Sequence, residues 1–404
     1  SRSVDCKGVA LDYVRAQGVL VGTEVRIGDF ALMQPGYVLR GKLRKDFKTT
    51  DYRYLLEGEA MPTDFNPMFK PWWSRTWEHF DFDGNPARAN IDIWGTDNDQ
   101  TQRYAYGAMS FGGVSYKGLG ISEGSLRLNA IAKFTRLFEM DIRNGDYAAR
   151  GEVKNVYDPK GSEIVSRHFD LFTDIPFHRV APLVGDALDF YVEKTTPYAA
   201  PQVWVEGRLI TDDYTEFASL EALDIRIRTD RPTRFFGVEF DAFEADVVKT
   251  ERNTRVDPVR FSFALGDGAG AVGIVEGPDG KELEFDIKVN DLDYRVAMQK
   301  VEALREGDAT EVLPNELEDR SHMDISLQGR APMGDFATLK ASGSFQLDDP
   351  LIHRVHMLGG ISKVLDNAEL NLGSFSLKKA QSPVRIEGQK IFLDDLELTG
   401  PSSR

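Results

Sequence analysis

The chain has 404 residues, with 49 Lys or Arg against 65 Asp or Glu and a net charge of −16. That balance, with no clustered basic run, argues against nucleic acid as a partner and against a peripheral anchor on anionic headgroups, though not against apolar lipid tails. Cys6 is the only cysteine, which excludes an internal disulfide, and no run of 18 apolar residues is present.

The first pattern is a strand alternation over Val19, Val21, Val25 and Ile27. The chain thus starts in mid-pattern and stops just after Leu396, Leu398 and Gly400, which reads as a piece of a longer protein. Further along, Trp72, Trp73, Trp77 and Phe80 form a dense aromatic cluster. It is expected to be a core plug where a short helix packs on a sheet, with sugar stacking or lipid contact as the functional alternative. Gly112-Gly113 and the Gly118–Gly120 stretch lie within strand patterns and read as bulges or close backbone approaches. Asp158-Pro159-Lys160-Gly161 is a hairpin signal, and a short apolar helical turn is expected from Phe177 to Val184.

From there alternation dominates. Leu223, Ile225 and Ile227 alternate with Asp224, Arg226 and Arg228, and Val259, Phe261, Phe263 and Leu265 continue the theme. Gly277-Pro278-Asp279-Gly280 turns the chain into Leu283, Phe285, Ile287 and Val289. Val296 to Leu304 has helical spacing, Met323, Ile325 and Leu327 return to strand, and 349–365 is helical with Leu351, Ile352, Val355 and Leu358 on one face. Strands do not alternate with long helices, so a parallel α/β sheet is excluded. The predicted class is all-β with a few short helices.

A slow repeat runs beneath these elements. Tyr37-Val38-Leu39-Arg40-Gly41 returns as Tyr147-Ala148-Ala149-Arg150-Gly151, a spacing of 110 (151 − 41), and more loosely from Gly266 to Gly273. Acidic-aromatic boxes at 61–69, 173–183 and 290–298 align Phe65, Phe177 and Tyr294 at spacings of 112 and 117. Strands ending in Gly95, Gly207 and Gly329 follow at spacings of 112 and 122. The expected organisation is a partial repeat over 1–60, then units at 61–172, 173–289 and 290–404. Stacked end to end, such units extend one antiparallel sheet that must twist and curl.

No constellation in the sequence supports catalysis. His353 and His356 sit three apart on the last predicted helix, but no further ligand completes a metal set. Asp81, Asp83, Asp97 and Asp99 lack the Gly and Glu positions of an EF-hand loop and read as solvated turn residues. No nucleophile elbow, phosphate loop or dinucleotide fingerprint is present. The expectation is therefore no catalytic residue, no metal and no cofactor.

The last sixty residues carry a resemblance. The strand with Phe345 and Leu347 leads into DDPLIHRVHMLGGISKVLDNAEL (348–370) and FSLKKAQSPVRIEGQKIFLDDLELTG (375–400). Leu358 to Leu365, Ile386 to Gly388 and Leu396 to Pro401 resemble successive landmarks of the C-terminal region in bacterial AsmA-like and TamB-like envelope proteins. The chain stops before the glycine-rich strand of that pattern. The resemblance implies a long curled sheet, a taco-like half-pipe with an apolar groove. It also implies a periplasmic location, an inner-membrane anchor on a missing segment, and phospholipid or other acyl-chain lipid as partner, with membrane proteins at either end. On that reading Val203, Val205, Ile225, Ile227, Phe261, Phe263, Phe285 and Ile287 are the groove-lining candidates. The alternatives are a closed β-sandwich with a structural role, or a carbohydrate-binding or adhesive surface protein resting on the Trp72 cluster.

Overall fold

The computed structural model describes residues 4–6, 9–34, 36–68, 77–131, 133–158, 164–176, 178–179, 195–197, 200–210, 219–235, 238–250, 253–277, 280–306, 320–332, 336–348, 378–388 and 390–400. Strands make up 75% of it and helix 7%, so the chain is all-β, as the period-two alternation predicts. Twenty-one strands form one antiparallel sheet, ordered almost entirely as the strands follow one another in the chain. Among the described residues the sheet does not close on itself. Among the described pairings Tyr13–Val21 pairs only with Glu24–Gln34, and at the other edge Lys379–Glu387 carries both Lys390–Leu393 and Glu397–Thr399. Val19, Leu20 and Val21 on the first edge strand are 60, 67 and 57% exposed, so this edge has no cover in the described structure.

The chain divides into two compact units, 1–192 with 200–223, and 193–199 with 224–404, and the division falls inside strand Ser219–Thr229. In the first unit the long connections 61–86 and 112–122 leave from the same strand end, while the opposite end carries tight turns such as 22–23 and 47–50. The second unit repeats the arrangement. Its connections 230–241, 293–321 and 349–378 leave from one end, and Gly277 pairs directly with Gly280 at the other. Bulges interrupt the ladders at Ile27/Phe30, Leu137/Met140, Val256/Val259 and Val289/Leu292. Each adds local twist and bends its strand, so the ladders coil rather than lie flat.

The long connections supply what dense core there is. In the first unit a three-stranded sheet of Phe80–Asp81, Val114–Tyr116 and Leu119–Ile121 caps the strand ends. Trp77, Phe82, Val114 and Ile121 bury there against Ala87 and Phe111 of the large sheet. The Trp77 and Phe80 rings meet edge-on at 5.5 Å. The aromatic plug is therefore real, but it is carried by a small sheet rather than the expected helix. Trp72 and Trp73 lie outside the described residues. Gly112-Gly113 and Gly118 lie in the turns of this small sheet, not in strand bulges, and Gly113 and Gly118 have φ of +66° and +82°.

In the second unit the plug is the start of the helix Tyr294–Glu306, which includes the predicted Val296–Leu304. Asp293, 6% exposed, caps it: its Oδ1 accepts from Arg295 N at 2.9 Å and Val296 N at 3.2 Å. The fully buried Ser321 hydroxyl accepts from Tyr294 N at 2.9 Å and donates to Asp293 Oδ1 at 3.2 Å. Around this polar knot Leu292, Tyr294, Met323, Phe345 and Leu347 form the core.

The strands of Gly95, Gly207 and Gly329 are Ala87–Thr96, Gln202–Ile210 and His322–Pro332, and each follows a long connection. Between the first two lie five strands of the large sheet (103–111, 123–131, 134–144, 147–157, 164–173), and five again (219–229, 242–250, 254–263, 266–277, 280–292) before the third. Phe65 falls in the 3₁₀ helix Pro62–Met68 and Tyr294 at the start of the helix Tyr294–Glu306, while Phe177 and most of the predicted 177–184 turn lie outside the described residues. The predicted 349–365 helix lies outside them too.

A recurrent cross-strand pair places an aromatic ring over a glycine: Phe30 opposite Gly41, Phe111 opposite Gly124, Phe261 opposite Gly268, and Phe285 opposite Gly329. At Gly268 a Cβ would run into the Phe261 ring closer than real Cβ contacts allow. Gly268→Val should therefore destabilise the protein by about 1–3 kcal/mol, seen as a lower denaturant midpoint. Adding Phe261→Ala should recover part of the loss. A Gly268→Val midpoint equal to wild type would refute the ring-over-glycine packing.

Candidate binding face

Side chains alternate between the two faces of a strand, and directly opposed residues in neighbouring strands share a face. Following the register, one face of the first unit is apolar. Leu43, Tyr54, Ile93 and Ala105 form one cross-strand row, Gly41, Leu56, Ile91 and Gly107 the next, and Leu39, Gly58, Ala89 and Met109 a third. The face continues through Leu128, Leu137, Val153 and Phe169, and through Leu171 to Val205 and Thr173 to Val203. In the second unit the apolar face runs from Phe243, Ala245 and Val247 through Phe261 and Val259. Gly268, Gly270 and Val272 carry it to Val289, Ile287 and Phe285, then to Ile325, Leu327 and Val384.

All eight sequence-derived candidates lie on this apolar phase. Val203 and Val205 are in the first unit, and Phe261, Phe263, Phe285 and Ile287 in the second. Ile225 and Ile227 take the same phase by alternation, because Arg226 between them reaches the polar face and donates to Asp246 Oδ1 at 3.1 Å. Val203 is buried, while the other seven are half-buried. Phe261 and Phe263 are also drawn into a ring cluster with Phe240, at 5.2 and 5.9 Å. Among the described residues the other sheets have only two or three strands, and one of them and the start of the helix Tyr294–Glu306 pack at strand ends.

The apolar face changes character at its turn end. The row beyond Leu43–Tyr54–Ile93–Ala105 is Lys45, Tyr52, Gly95 and Arg103, again directly opposed. Lys45 pairs with Asp97, donates to Thr50 O at 3.3 Å and lies over the Tyr52 ring at 5.3 Å from its centroid. Burial pushes the Tyr52 phenol above its ordinary pKa, with Arg103 pulling the other way. Further along the same end, Tyr157 donates to Thr135 at 3.0 Å and Arg167 to Asn155 at 2.7 Å. These residues gave no signal in the sequence reading, since they are joined only by register.

The opposite face is polar and laced with cross-strand ion pairs, including Arg53 to Asp92 through two bonds of 3.0 and 2.6 Å and Arg330 to Glu284 at 2.9 Å. It also carries Trp94 and Tyr104, stacked face to face with centroids 5.3 Å apart, each 37% exposed. The rings cover each other, unlike a flat platform that offers free ring faces to a sugar.

Asp81, Asp83, Asp97 and Asp99 fall into two separate pairs. Asp81 and Asp83 stand near the start of strand Ala87–Thr96, and Asp97 and Asp99 just past its end, about 30 Å away at ~3.3 Å per residue. Asp97 pairs with Lys45, and Asp99 caps a 3₁₀ turn by accepting from Thr101 N at 2.8 Å. His353 and His356 lie outside the described residues. His322 bonds Asp291, whose carboxyl is held below its usual range by that bond and by Arg320. No protein-family model matches the chain, and no curated protein or solved structure matches it.

Among the described residues of the polar face, Glu24 is strongly shifted. Arg26 and Arg44 are directly opposed, and Glu24 accepts from the Nε of both at 2.6 Å, so the carboxylate offsets their mutual repulsion. Those two bonds lower its pKa from 4.5 to about 2. Its stabilisation is therefore present above pH 4.5 and lost as pH falls through 2. A melting-temperature series from pH 6 to pH 2 should show a decline that Glu24→Gln blunts, with the variant less stable than wild type at pH 6. Parallel curves for both proteins would show that Glu24 does not carry this effect.

Proposed function

We propose that this chain binds acyl-chain lipids along its apolar sheet face and performs no chemistry on them. The observation that carries the reading is the continuous run of Leu, Ile, Val and Phe across successive strands in each unit, most of it half-buried, while the opposite face carries cross-strand ion pairs. Apolar surface left half-exposed on this scale is a binding surface or a liability. Each methylene laid against it gains about 0.8 kcal/mol, so one long chain outweighs its ordering cost. In a closed sandwich the same residues would bury against a second sheet. The C-terminal resemblance adds the setting: an AsmA-like protein of the bacterial envelope, handing phospholipid across the periplasm with membrane proteins as partners.

The test is a pair of neighbouring positions. Ile227→Asp puts a charge on the apolar face and should sharply reduce acyl-chain binding, since the charge must be desolvated or the chain displaced. Arg228→Ser, on the polar face, should leave binding within about twofold and stability within ~0.5 kcal/mol of wild type. A photo-crosslinker at 227 should capture a lipid probe and one at 228 should not. Equal capture at both, or global unfolding of Ile227→Asp, would favour the closed sandwich.

A further inference from the structure

The face in the first unit has two unlike ends, and their order along the strands defines a direction. At the connection end Ala87 and Phe111 are sealed by Trp77, Phe82, Val114 and Ile121, and Met109 packs against that plug. At the turn end stands the row Lys45–Tyr52–Gly95–Arg103. Between them lie only apolar rows. From Tyr52 to Gly58 the strand advances about 20 Å at ~3.3 Å per residue, the reach of a long fatty acyl chain.

The geometry points to an anionic single-chain amphiphile as the ligand of this stretch, with its carboxylate or phosphate headgroup on Arg103 and Lys45 and its methyl end against the plug. This rests on the acyl-chain reading above. Arg103 carries the argument. Its Nε is buried and finds no acceptor among the described residues, a costly state for a cation unless an anion completes it. Gly95, directly opposite Arg103, brings no side chain to the row, and the place a Cβ would take there is already closed by the Gln102 carbonyl oxygen and the Tyr52 hydroxyl. A headgroup at this end of the face would meet the Arg103 guanidinium, the Tyr52 phenol and the Lys45 ammonium of the one row. Asp97 offsets only Lys45, so the row keeps a positive surplus beside an apolar floor. On a chain of net charge −16 this is a local inversion of sign, which selects the headgroup and fixes its end of the face.

The experiment measures displacement of the uncharged probe N-phenyl-1-naphthylamine from the full chain by oleate, by lysophosphatidylglycerol and by neutral monoolein. Wild type should prefer both anionic lipids over monoolein by about tenfold, the worth of one charge-assisted hydrogen bond. Arg103→Gln should erase that preference while monoolein binds as before, which also shows that the variant is folded. Arg103→Lys should keep part of it. Inorganic phosphate alone should displace nothing, which separates a lipid headgroup from a free-anion site. Equal wild-type affinity for oleate and monoolein overturns the inference, as does a preference that survives in both Arg103→Gln and the Lys45→Gln/Arg103→Gln pair. Absence of any lipid or probe binding would instead remove the acyl-chain reading beneath it.

Discussion

Register is the constraint on which this structure depends. In an antiparallel sheet with one apolar face, slipping a strand by one residue turns its whole apolar set to water. The ladders here preserve phase over many strands, and where the sequence breaks phase a bulge restores it. Ile27 and Phe30 are three residues apart, yet both lie on the apolar face, because the extra residue is absorbed between them. Val256 and Val259 repeat the device, as do Leu137 and Met140. Bulges thus serve twice, keeping the apolar set together and bending the strands that carry it.

The second organising feature is the asymmetry of the strand ends. In each unit the long connections that bury aromatic plugs share one end of the strands, and the other end carries tight turns such as 22–23 and 47–50, flanked by charged and hydroxyl side chains. The middle of each face has neither, and most of its side chains are half-buried, with Ile91, Ala245 and Val259 buried among them. With the described core clusters at strand ends, the central apolar rows draw much of their stabilisation from cross-strand neighbours. The rings folded over Gly41, Gly124, Gly268 and Gly329 fit this regime, since each ring finds across the ladder the contact that a second layer would otherwise supply.

The sequence made the strands legible because a half-buried strand writes its face into every second residue. The runs at 223–227, 259–263 and 283–289 are strands on the predicted phase, while Leu265 falls in the turn that follows, and the helix at 294–306 followed from its spacing. The ring-rich plug at Trp77 was visible as a cluster of large apolar residues, but not its partner, because strands of two or three residues such as Phe80–Asp81 are too short to show a period. The turn glycines at 113 and 118 read as bulges or close backbone approaches for the same reason. Least legible was the row of Lys45, Tyr52 and Arg103. Its members are brought into line by three hairpins, and each alone is an ordinary polar residue near a turn.

That neighbour-to-neighbour order of strands also bears on how the chain reaches its fold. Most strands of the large sheet pair with the strands just before and after them in sequence, so most contacts close over a single short turn. Loop closure is then cheap at nearly every step, and the expensive closures are confined to the few long connections. Greek-key sandwiches with similar strand content join distant segments and fold slowly for that reason. Here folding can start at any hairpin and spread outward strand by strand, in the manner of a repeat array. The cost falls on the growing edge, which at every intermediate stage presents a bare ladder of amides and carbonyls to whatever strand comes next.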